Sequence, residues 1–342
     1  MDHTSDEAAA PRTLPTTRRP TIYDIAERVG LNPSTVSRAL NKPGRINAET
    51  AARVQAVATE LGFRVNPAAR ALPTGTTGTY ALVLPDITNP VHFELIRGVE
   101  QVSRAHGRTL AISESQGLAE QEREAITSLQ PAVDGILVVA SRLASDDLTA
   151  LASLTPMVAV NSVAPELPSV VASIESAMSE TMAHLHSLGH RSIAYLGVQA
   201  FDINHRKWEL LLAVATKLGL SIVEIPTEAP TVAGGADALP RILASSATAV
   251  IAYNDLVAHG VLQAAHARGL QIPDTFSLVG FDDIFSAALS TPALTTVKTP
   301  LRELGSLAMT ILLDPERNRT PSLQRLPVEL IIRDSTGAPP AR

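Results

Sequence analysis

A run of polar side chains recurs at helical spacing between residues 34 and 41. Ser34, Ser37, Arg38 and Asn41 share one face of a helix whose opposite face is apolar. Their hydroxyl, guanidinium and amide groups can bond base edges or phosphates, and an arginine can hold guanine O6 and N7 together, worth roughly 1–3 kcal/mol of base discrimination. The pattern favours DNA recognition. An ordinary helical bundle with a polar outer face is the alternative.

Three short apolar stripes predict the helices that position this face. The first follows Thr21 as N-cap, the second follows Asn32, and the third lies between Asn47 and Gly62. The turn 30–32 has the length that a helix-turn-helix allows. The apolar positions are Ile22, Ile25, Ala26, Val29, Val36, Ala39, Leu40, Val54, Val57, Ala58 and Leu61. Each stripe is too short to be stable alone, so we expect one shared three-helix core.

The net charge of −6 is unevenly distributed. Residues 11–73 contain ten Lys and Arg against four Asp and Glu, a surplus of six positive charges, whereas the chain after Pro73 carries a net charge of −9. A basic head on an acidic body indicates that only the head meets a polyanion. A chance cluster of solvated arginines is the alternative explanation.

Beyond Gly78, short apolar runs alternate with helical patterns. The runs predicted as strands are Tyr80–Leu84, Ile136–Val139, Met157–Val160, Ile193–Leu196, Ala249–Ala252 and Ser277–Val279. Helices are predicted between them, for example from Phe93 to Ala105 and from Leu256 to Arg268. This alternation is typical of an α/β fold whose parallel sheets are covered on both faces. About 260 residues suffice for two such lobes.

Composition and missing motifs exclude several classes of protein. The chain has no cysteine, so disulfides and thiolate metal sites are impossible. No segment approaches the roughly 18 apolar residues that a membrane span needs, and no signal-peptide core is visible, so we expect a soluble cytoplasmic protein. Phosphate-binding loops, zinc-protease motifs and nucleophile elbows are absent, so no enzyme activity and no cofactor or metal is expected.

The head closely resembles that of the LacI/GalR (lactose/galactose repressor) family. The resemblance rests on residues 21–26, Gly30 and 34–41, and it continues through Arg53-Val54 and Leu61-Gly62-Phe63 to the segment 66–72. It implies that Pro33, Ser34 and Arg38 lie where the family reads bases in the major groove. It also implies that phosphates or the neighbouring groove are contacted by Thr21, Tyr23, Asn32, Thr35, Ser37, Asn41, Arg45, Asn66, Ala69 and Arg70.

The segment 66–72 can form two turns of helix, with Asn66 as cap and Pro73 blocking continuation. In the family this hinge helix folds when two subunits lie side by side on operator DNA. A leucine at the position of Leu72 then enters a minor-groove step and kinks it. A buried linker residue is the alternative for Leu72. Val65 stands where the family usually has proline.

The body resembles the family's effector-binding core, which is similar to periplasmic sugar-binding proteins. The resembling stretches are 84–90, 133–136, 188–193, 253–256, 279–283 and 294–297. Two lobes joined by three crossings are expected to enclose a small polar ligand at the carboxyl ends of the strands. The candidate effector-binding residues are Asp86, Phe93, Asn161, Arg206, Asn254 and Asp282. Capping of the next helix is the alternative for Asp282, and a surface position is the alternative for Arg206.

The predicted organisation follows from both resemblances. A disordered lead-in (1–19) precedes an all-α helix-turn-helix domain (20–64), a hinge helix and linker (65–78), a core (79–335) and a tail (336–342). One lobe comprises about 79–173 and 298–323, the other 174–297 and 324–335. Ser173-Ile174, Ala177 and Glu209 depart from the family's usual residues at the rim of the pocket.

These features predict a repressor that binds a pseudo-palindromic operator as a homodimer or tetramer and responds to a carbohydrate, sugar phosphate or nucleoside. A solute-binding protein and a DNA binder without an effector are the alternatives.

Overall fold

The structure is a computed structural model that describes residues 20–41, 46–63, 75–199 and 202–340. Tertiary contacts separate a head that ends at Thr77 from a core that begins at Gly78. Several predictions fall outside the described residues: those for the lead-in 1–19, for the side chain of Asn41, and for Arg45, Val65, Asn66, Ala69, Arg70 and Leu72.

The head contains three helices, α1 (Ile22–Val29), α2 (Pro33–Asn41) and α3 (Ala48–Glu60). A capping box opens α1, because Thr21 Oγ1 accepts a hydrogen bond from the Asp24 amide while the Asp24 carboxylate accepts one from the Thr21 amide at 2.6 Å. Gly30 ends this helix in the left-handed conformation with φ 67°. The predicted caps at Thr21 and Asn47 are confirmed.

One small hydrophobic core joins the three helices of the head. Its buried members are Ile25, Ala26, Val29, Val36, Val54 and Ala58, and the remaining predicted apolar positions pack around them. The spacing of the stripes therefore located this core correctly, since residues three and four apart share a helix face.

The core alternates strands and helices along the chain. Its elements are β1 (Thr79–Leu84), α4 (His92–Ala105), β2 (Thr109–Glu114), α5 (Ala119–Leu129), a 3-10 turn (Gln130–Ala132), β3 (Ile136–Val139), α6 (Ser145–Ala152), β4 (Met157–Val160), β5 (Pro168–Ser173), α7 (Glu175–Ser187), β6 (Ser192–Gly197), α8 (Asp202–Leu218), β7 (Ser221–Pro226), α9 (Val232–Ala244), β8 (Ala249–Ala252), α10 (Asp255–Ala267), β9 (Ser277–Asp282), β10 (Thr295–Lys298), α11 (Leu301–Leu313), a second 3-10 turn (Arg317–Arg319), β11 (Ser322–Pro327) and β12 (Glu329–Ile331).

Two six-stranded sheets organise these elements into two lobes. The sheet of the first lobe has the order β11-β5-β4-β3-β1-β2, and the sheet of the second has the order β12-β10-β9-β8-β6-β7. Each neighbouring pair is parallel except β12, which runs antiparallel to β10. Alternate residues of β1 enter opposite cores, with Leu82 and Leu84 in one and Ala81 and Val83 in the other, because helices cover both faces.

The chain passes between the lobes three times. The crossings follow β5, β10 and β11, because each of these strands is succeeded by an element that packs in the other lobe. The expected last crossing at residue 323 is about four residues early, since β11 pairs in register with β5 through Pro327.

All six strands predicted from apolar runs are present, with bounds within one residue except for β9, which extends to Asp282. Edge strands such as β2 and β7 were not predicted, because half-exposed residues interrupt their apolar runs. Among the described helices, none is both long and apolar enough to cross a membrane.

Candidate functional site

The polar face of α2 is the candidate DNA-binding surface of the head. Ser34 and Arg38 are exposed, and the Arg38 guanidinium lies 3.4 Å from Ser34 Oγ, one helical turn away. Ser34 in turn donates from both its amide and its hydroxyl to Asn32 Oδ1, at 2.9 Å each. This chain of contacts orients Arg38 while leaving most of its five donors unused.

The described arginines of the head differ in their partners. Arg28 forms an ion pair with Glu60 at 2.9 Å, which ties α1 to α3. Arg53 donates to the carbonyl of Val29 at 2.7 Å and so satisfies the carboxyl end of α1. Arg38 has no carboxylate partner among the described residues. Its charge therefore remains available to an external anion.

The structure also locates the candidate phosphate contacts. Tyr23 is 72% exposed on α1, whereas Thr35 and Ser37 are half-buried on α2. The hydroxyl of Thr21 is engaged by Asp24 in the capping box, with Oγ1 and Oδ2 2.7 Å apart. Since the Thr21 amide also donates to Asp24, a contact between Thr21 and a phosphate would require a change of partner.

In the first lobe, two candidate effector residues follow the carboxyl ends of central strands. Asp86 comes after β1, and one of its oxygens accepts hydrogen bonds from the amide and hydroxyl of Thr88 at 2.8 and 2.6 Å. Asn161 follows β4 with φ 53°, and its Oδ1 accepts from the amide of Ala172 at 3.2 Å. Asp86 is thus oriented by the turn that it occupies, whereas Asn161 is oriented by the neighbouring strand β5.

A buried histidine accompanies Asp86. His92 is the first residue of α4, and burial lowers its pKa to about 4, with the Asp86 carboxylate acting in the opposite direction. The imidazole is therefore neutral near pH 7. Phe93 follows it and remains 43% exposed, with its ring stacked against Phe285 of the second lobe.

In the second lobe, Arg206 lies on α8 beside the first crossing between lobes. Its guanidinium forms an ion pair with Glu175 at the start of α7, and the hydroxyl of Ser173 donates to the same carboxylate at 2.9 Å. Although partial burial opposes it, hydrogen bonds from the backbone, Arg206 and Ser173 hold the pKa of Glu175 below its ordinary value. Arg206 is therefore oriented by an internal carboxylate.

Asn254 is buried, and both polar groups of its side chain are engaged within the second lobe. Its Oδ1 caps α10 by accepting from the amide of Val257 at 2.9 Å, and its Nδ2 donates to the carbonyl of Pro230 at 3.2 Å. Only 5% of the residue is exposed. Its placement favours a role in fixing the end of β8.

Asp282 ends β9 with a positive φ of 106° and is partly exposed. No described residue donates a hydrogen bond to its carboxylate, whereas the adjacent Asp283 is paired with Arg333 at 2.6 Å. A non-glycine residue at such a φ persists only where its surroundings hold it. Asp282 thus offers two free acceptor oxygens at the carboxyl end of the sheet.

Two buried ionisable residues near Asp282 were not among the predictions. Lys207 and Asp255 are almost fully buried. Asp255 accepts from the hydroxyl of Thr296 at 2.6 Å and from the amide of Ile284 at 2.8 Å. Lys207 occupies the same inner face of α8 as Leu211 and Ala215, so a lysine in an otherwise apolar stripe was the signal in the sequence.

The head has three helices, and the second presents an exposed polar face. The core has two lobes with polar groups at its strand ends. Together these features define a helix-turn-helix regulator with a binding-protein-like core. Comparisons with known proteins agree. Residues 21–66 match the model of bacterial regulatory proteins of the lacI family, and residues 182–336 match a periplasmic binding protein-like domain.

The chain is 31% identical to the HTH-type transcriptional regulator DegA of Bacillus subtilis, over 92% of this chain and 98% of that protein. It is 32% identical to the HTH-type transcriptional repressor CytR of Escherichia coli K12, over 94% and 97%. The chain belongs to the lacI family and is a DNA-binding transcriptional regulator.

Solved structures share the fold. The lac repressor dimer bound to operator and the anti-inducer ONPF superposes with a TM-score of 0.85 at 24% identity, covering 94% of this chain and all of that one. A LacI family regulator from Enterococcus faecium with bound ribose superposes with a TM-score of 0.69 at 26% identity, covering 76% and 99%.

Proposed function

We propose that the protein is a repressor that binds a pseudo-palindromic operator as a homodimer, with a tetramer as the larger assembly, and that a small polar effector between the lobes controls operator affinity. The activity is binding rather than catalysis, and its place is the cytoplasm, where the DNA is. The effector favours one arrangement of the lobes and thereby changes the pairing of the two heads.

The exposed guanidinium of Arg38 carries the DNA-binding half of this proposal. Arg28 and Arg53 are engaged within the head, so Arg38 is the described arginine that α2 presents outward. A guanidinium so placed can bind guanine in the major groove, with Ser34 beside it. The lac repressor dimer, which shares the fold, was solved bound to operator.

The hinge remains a proposal from the sequence. Paired segments 66–72 would lie in the minor groove at the centre of the operator, with Asn66, Ala69 and Arg70 near the backbone and Leu72 inserted between base pairs. Two-fold symmetry of the protein would then appear as two inverted half-sites.

The free carboxylate of Asp282 supports the part of this proposal that concerns effector binding. An ionised carboxylate accepts hydrogen bonds from adjacent hydroxyls, which suits a sugar, a sugar phosphate or a nucleoside. A 30% identical relative is named as a ribose operon repressor, and the Enterococcus faecium regulator holds ribose. We therefore choose D-ribose as the first probe.

Binding selection on genomic fragments tests the DNA half. Fragments retained by the protein at about 150 mM salt are sequenced, and the affinity for the recovered site is compared with that for a shuffled site of equal length. A preference of at least about 10³-fold, the lower range for specific binders, supports the proposal. Equal affinity for both sequences would refute it.

A thermal-shift screen tests the effector half. Ribose, other pentoses and hexoses, their phosphates and nucleosides are added separately, and compounds that raise the unfolding temperature are added to the protein–operator complex. A compound that shifts both unfolding and operator affinity supports control by an effector. Retained operator binding with no shift by any compound would favour a DNA binder without an effector.

A further inference from the structure

A lysine lies inside the second lobe, beneath the candidate effector site. Lys207 is only 4% exposed and belongs to the face of α8 that packs on the sheet. Lysine is rarely buried without a partner, because removing an ammonium group from water is costly. Its location therefore calls for a compensating interaction.

The immediate contacts of Lys207 are neutral. Its Nζ donates to the carbonyl of Tyr253 at 2.8 Å and lies 3.4 Å from the ring centroid of Phe281 and 4.7 Å from that of Tyr253. Aromatic faces attract an ammonium group, particularly away from water. Among the described residues, no carboxylate lies within ion-pair distance, so two of the three donors have no close acceptor.

Both aromatic contacts of Lys207 adjoin an acidic residue along the chain, because Phe281 directly precedes Asp282 and Tyr253 lies two residues before Asp255. These two acidic residues are the ones that act on the charge of Lys207. Thr296 and Ile284 already hold the Asp255 carboxylate, which secures the loop after β9. Asp282 has no such donors. The buried ammonium group is therefore the principal stabilising charge that acts on the open carboxylate.

We propose that Lys207 is the internal counter-ion that keeps the Asp282 carboxylate ionised, which makes it a positioning residue that sets effector affinity and its dependence on pH. This inference rests on the proposed effector site. It predicts a cleft that favours hydroxyl or amine donors on the effector, because the positive charge beneath the carboxylate is already supplied by the protein.

The direction of each pKa supports this arrangement. Burial raises the pKa of Asp282 to about 7, and the charge of Lys207 opposes that rise. Burial lowers the pKa of Lys207 to about 8, against the charges of Asp282 and then Asp255. Burial raises the pKa of Asp255 to about 8, and the charge of Asp282 raises it further. The other groups that act on this cluster are Tyr253, Asp283 and Arg142.

Lys207→Met is the central variant, because methionine preserves the length and apolar stem of lysine. Without the ammonium group, the pKa of Asp282 rises, and the carboxyl stays protonated at neutral pH. Lys217→Met is the matched control, since Lys217 lies on the same helix and is exposed. Lys207→Arg retains the charge and serves as the conservative variant.

The first measurement needs no effector. Unfolding temperatures of the full-length protein are recorded from pH 6 to 9. Where the pKa of a carboxyl is raised in the folded state, stability falls as pH rises towards that pKa. The unfolding temperature of Lys207→Met should therefore fall further below that of the natural protein as pH rises. Because Lys207 itself titrates near pH 8 and adds to this difference, the pKa of the Asp282 carboxyl is also read directly from its carboxyl carbon resonance in both proteins, and it should be higher in Lys207→Met. An unchanged pKa of Asp282 would show a packing role and overturn the proposal.

The second measurement uses D-ribose. A pKa of Asp282 higher by one unit lowers its ionised fraction at pH 7 from about a half to about a tenth, so ribose affinity of Lys207→Met should fall about fivefold. The affinity should recover at pH 9, and Lys207→Arg should remain close to the natural protein. A loss that persists at pH 9 would overturn the proposal. Failure of ribose to bind the natural protein would count against ribose as effector while the first measurement still decides the role of Lys207.

Discussion

The ring of Phe93 stacks on the ring of Phe285, with centroids 6.4 Å apart and planes inclined by 14°. Phe93 belongs to the first lobe, at the start of α4, and Phe285 follows β9 in the second. The side chains remain 43% and 65% exposed despite this contact. An aromatic pair that spans two lobes is a contact that a change in lobe arrangement would alter.

Removal of this pair should reveal a coupling between the lobes. A double-mutant cycle of Phe93→Ala, Phe285→Ala and the combined variant should give a coupling free energy of about 0.5–1.5 kcal/mol in denaturant unfolding. The same cycle with Leu289→Ala in place of Phe285→Ala is the control, because Leu289 is an exposed apolar residue of the same segment. Strictly additive effects of the two phenylalanines would show that the stacking carries no energy.

Arg38→Ala should reduce operator selectivity without unfolding the head. The loss of a bidentate contact to guanine should cost about 1–3 kcal/mol for the specific site and little for shuffled DNA, measured by fluorescence anisotropy at fixed salt. Arg28→Ala is the control for charge alone. It also removes one positive charge from the head, but the arginine that it removes is paired with Glu60. Equal losses on both DNAs would assign Arg38 to phosphate binding.

Asp282→Asn should abolish the effector response while operator binding persists. Hydrogen bonds to a charged group contribute about 1.5–3 kcal/mol, so affinity for the effector should fall roughly 10- to 100-fold in calorimetric titration. Asp237→Asn, an exposed substitution on α9, should leave the titration unchanged. Normal affinity in Asp282→Asn would remove this residue from the site.

The spacing of apolar residues predicted the helices that are buried on one face and the strands that are buried on both faces. The head core and the central strands β1, β3, β4, β6 and β8 were located in this way, since their buried residues follow helical spacing or form unbroken apolar runs. The edge strand β11 was not predicted, because no apolar run marks its partly exposed residues. Its pairing with β5 over more than 140 residues of chain depends on tertiary structure.

The candidate site was only partly visible in the sequence. The position of Asp282 after an apolar run and the resemblance to the family indicated a strand end in the cleft. The buried ionisable residues Lys207 and Asp255 were not predicted, because their environment is created by elements that are far apart in the sequence, namely α8, the start of α10, β9 and β10. The internal partners of Asn254 likewise required the structure.

Gly98→Ala should destabilise the first lobe. An added Cβ at Gly98 would lie 2.1 Å from the carbonyl oxygen of Arg302, because α4 and α11 approach closely at this point. Backbone atoms cannot move aside as a side chain can, so we expect a loss of about 1–3 kcal/mol in the free energy of unfolding. Gly98→Ser should be at least as severe. Unchanged stability in the alanine variant would contradict the close approach of the two helices.

His190 connects the C-terminal segment around Gly337 to the second lobe through hydrogen bonds. The ring is fully buried, with Nδ1 2.8 Å from Thr248 Oγ1 and Nε2 2.9 Å from Ser277 Oγ and 3.0 Å from the carbonyl of Gly337. Its replacement by alanine removes the ring contacts of a buried hydrogen-bond network and leaves a cavity, so the free energy of unfolding should fall by about 2–4 kcal/mol.

The same histidine should make stability depend on pH. Burial lowers the pKa of His190 against the opposing effect of the hydrogen bond to the Gly337 carbonyl, and the charge of His184 lowers it further. The folded state therefore favours the neutral ring, and its advantage is lost as pH falls from about 6.5, the ordinary histidine pKa, towards the lowered value. The loss of unfolding free energy in His190→Ala, measured by urea unfolding, should consequently be smaller at pH 5 than at pH 7.5. His266→Ala, an exposed substitution on α10, is the control, and an equal deficit at both pH values would mean that His190 titrates alike in the folded and unfolded states.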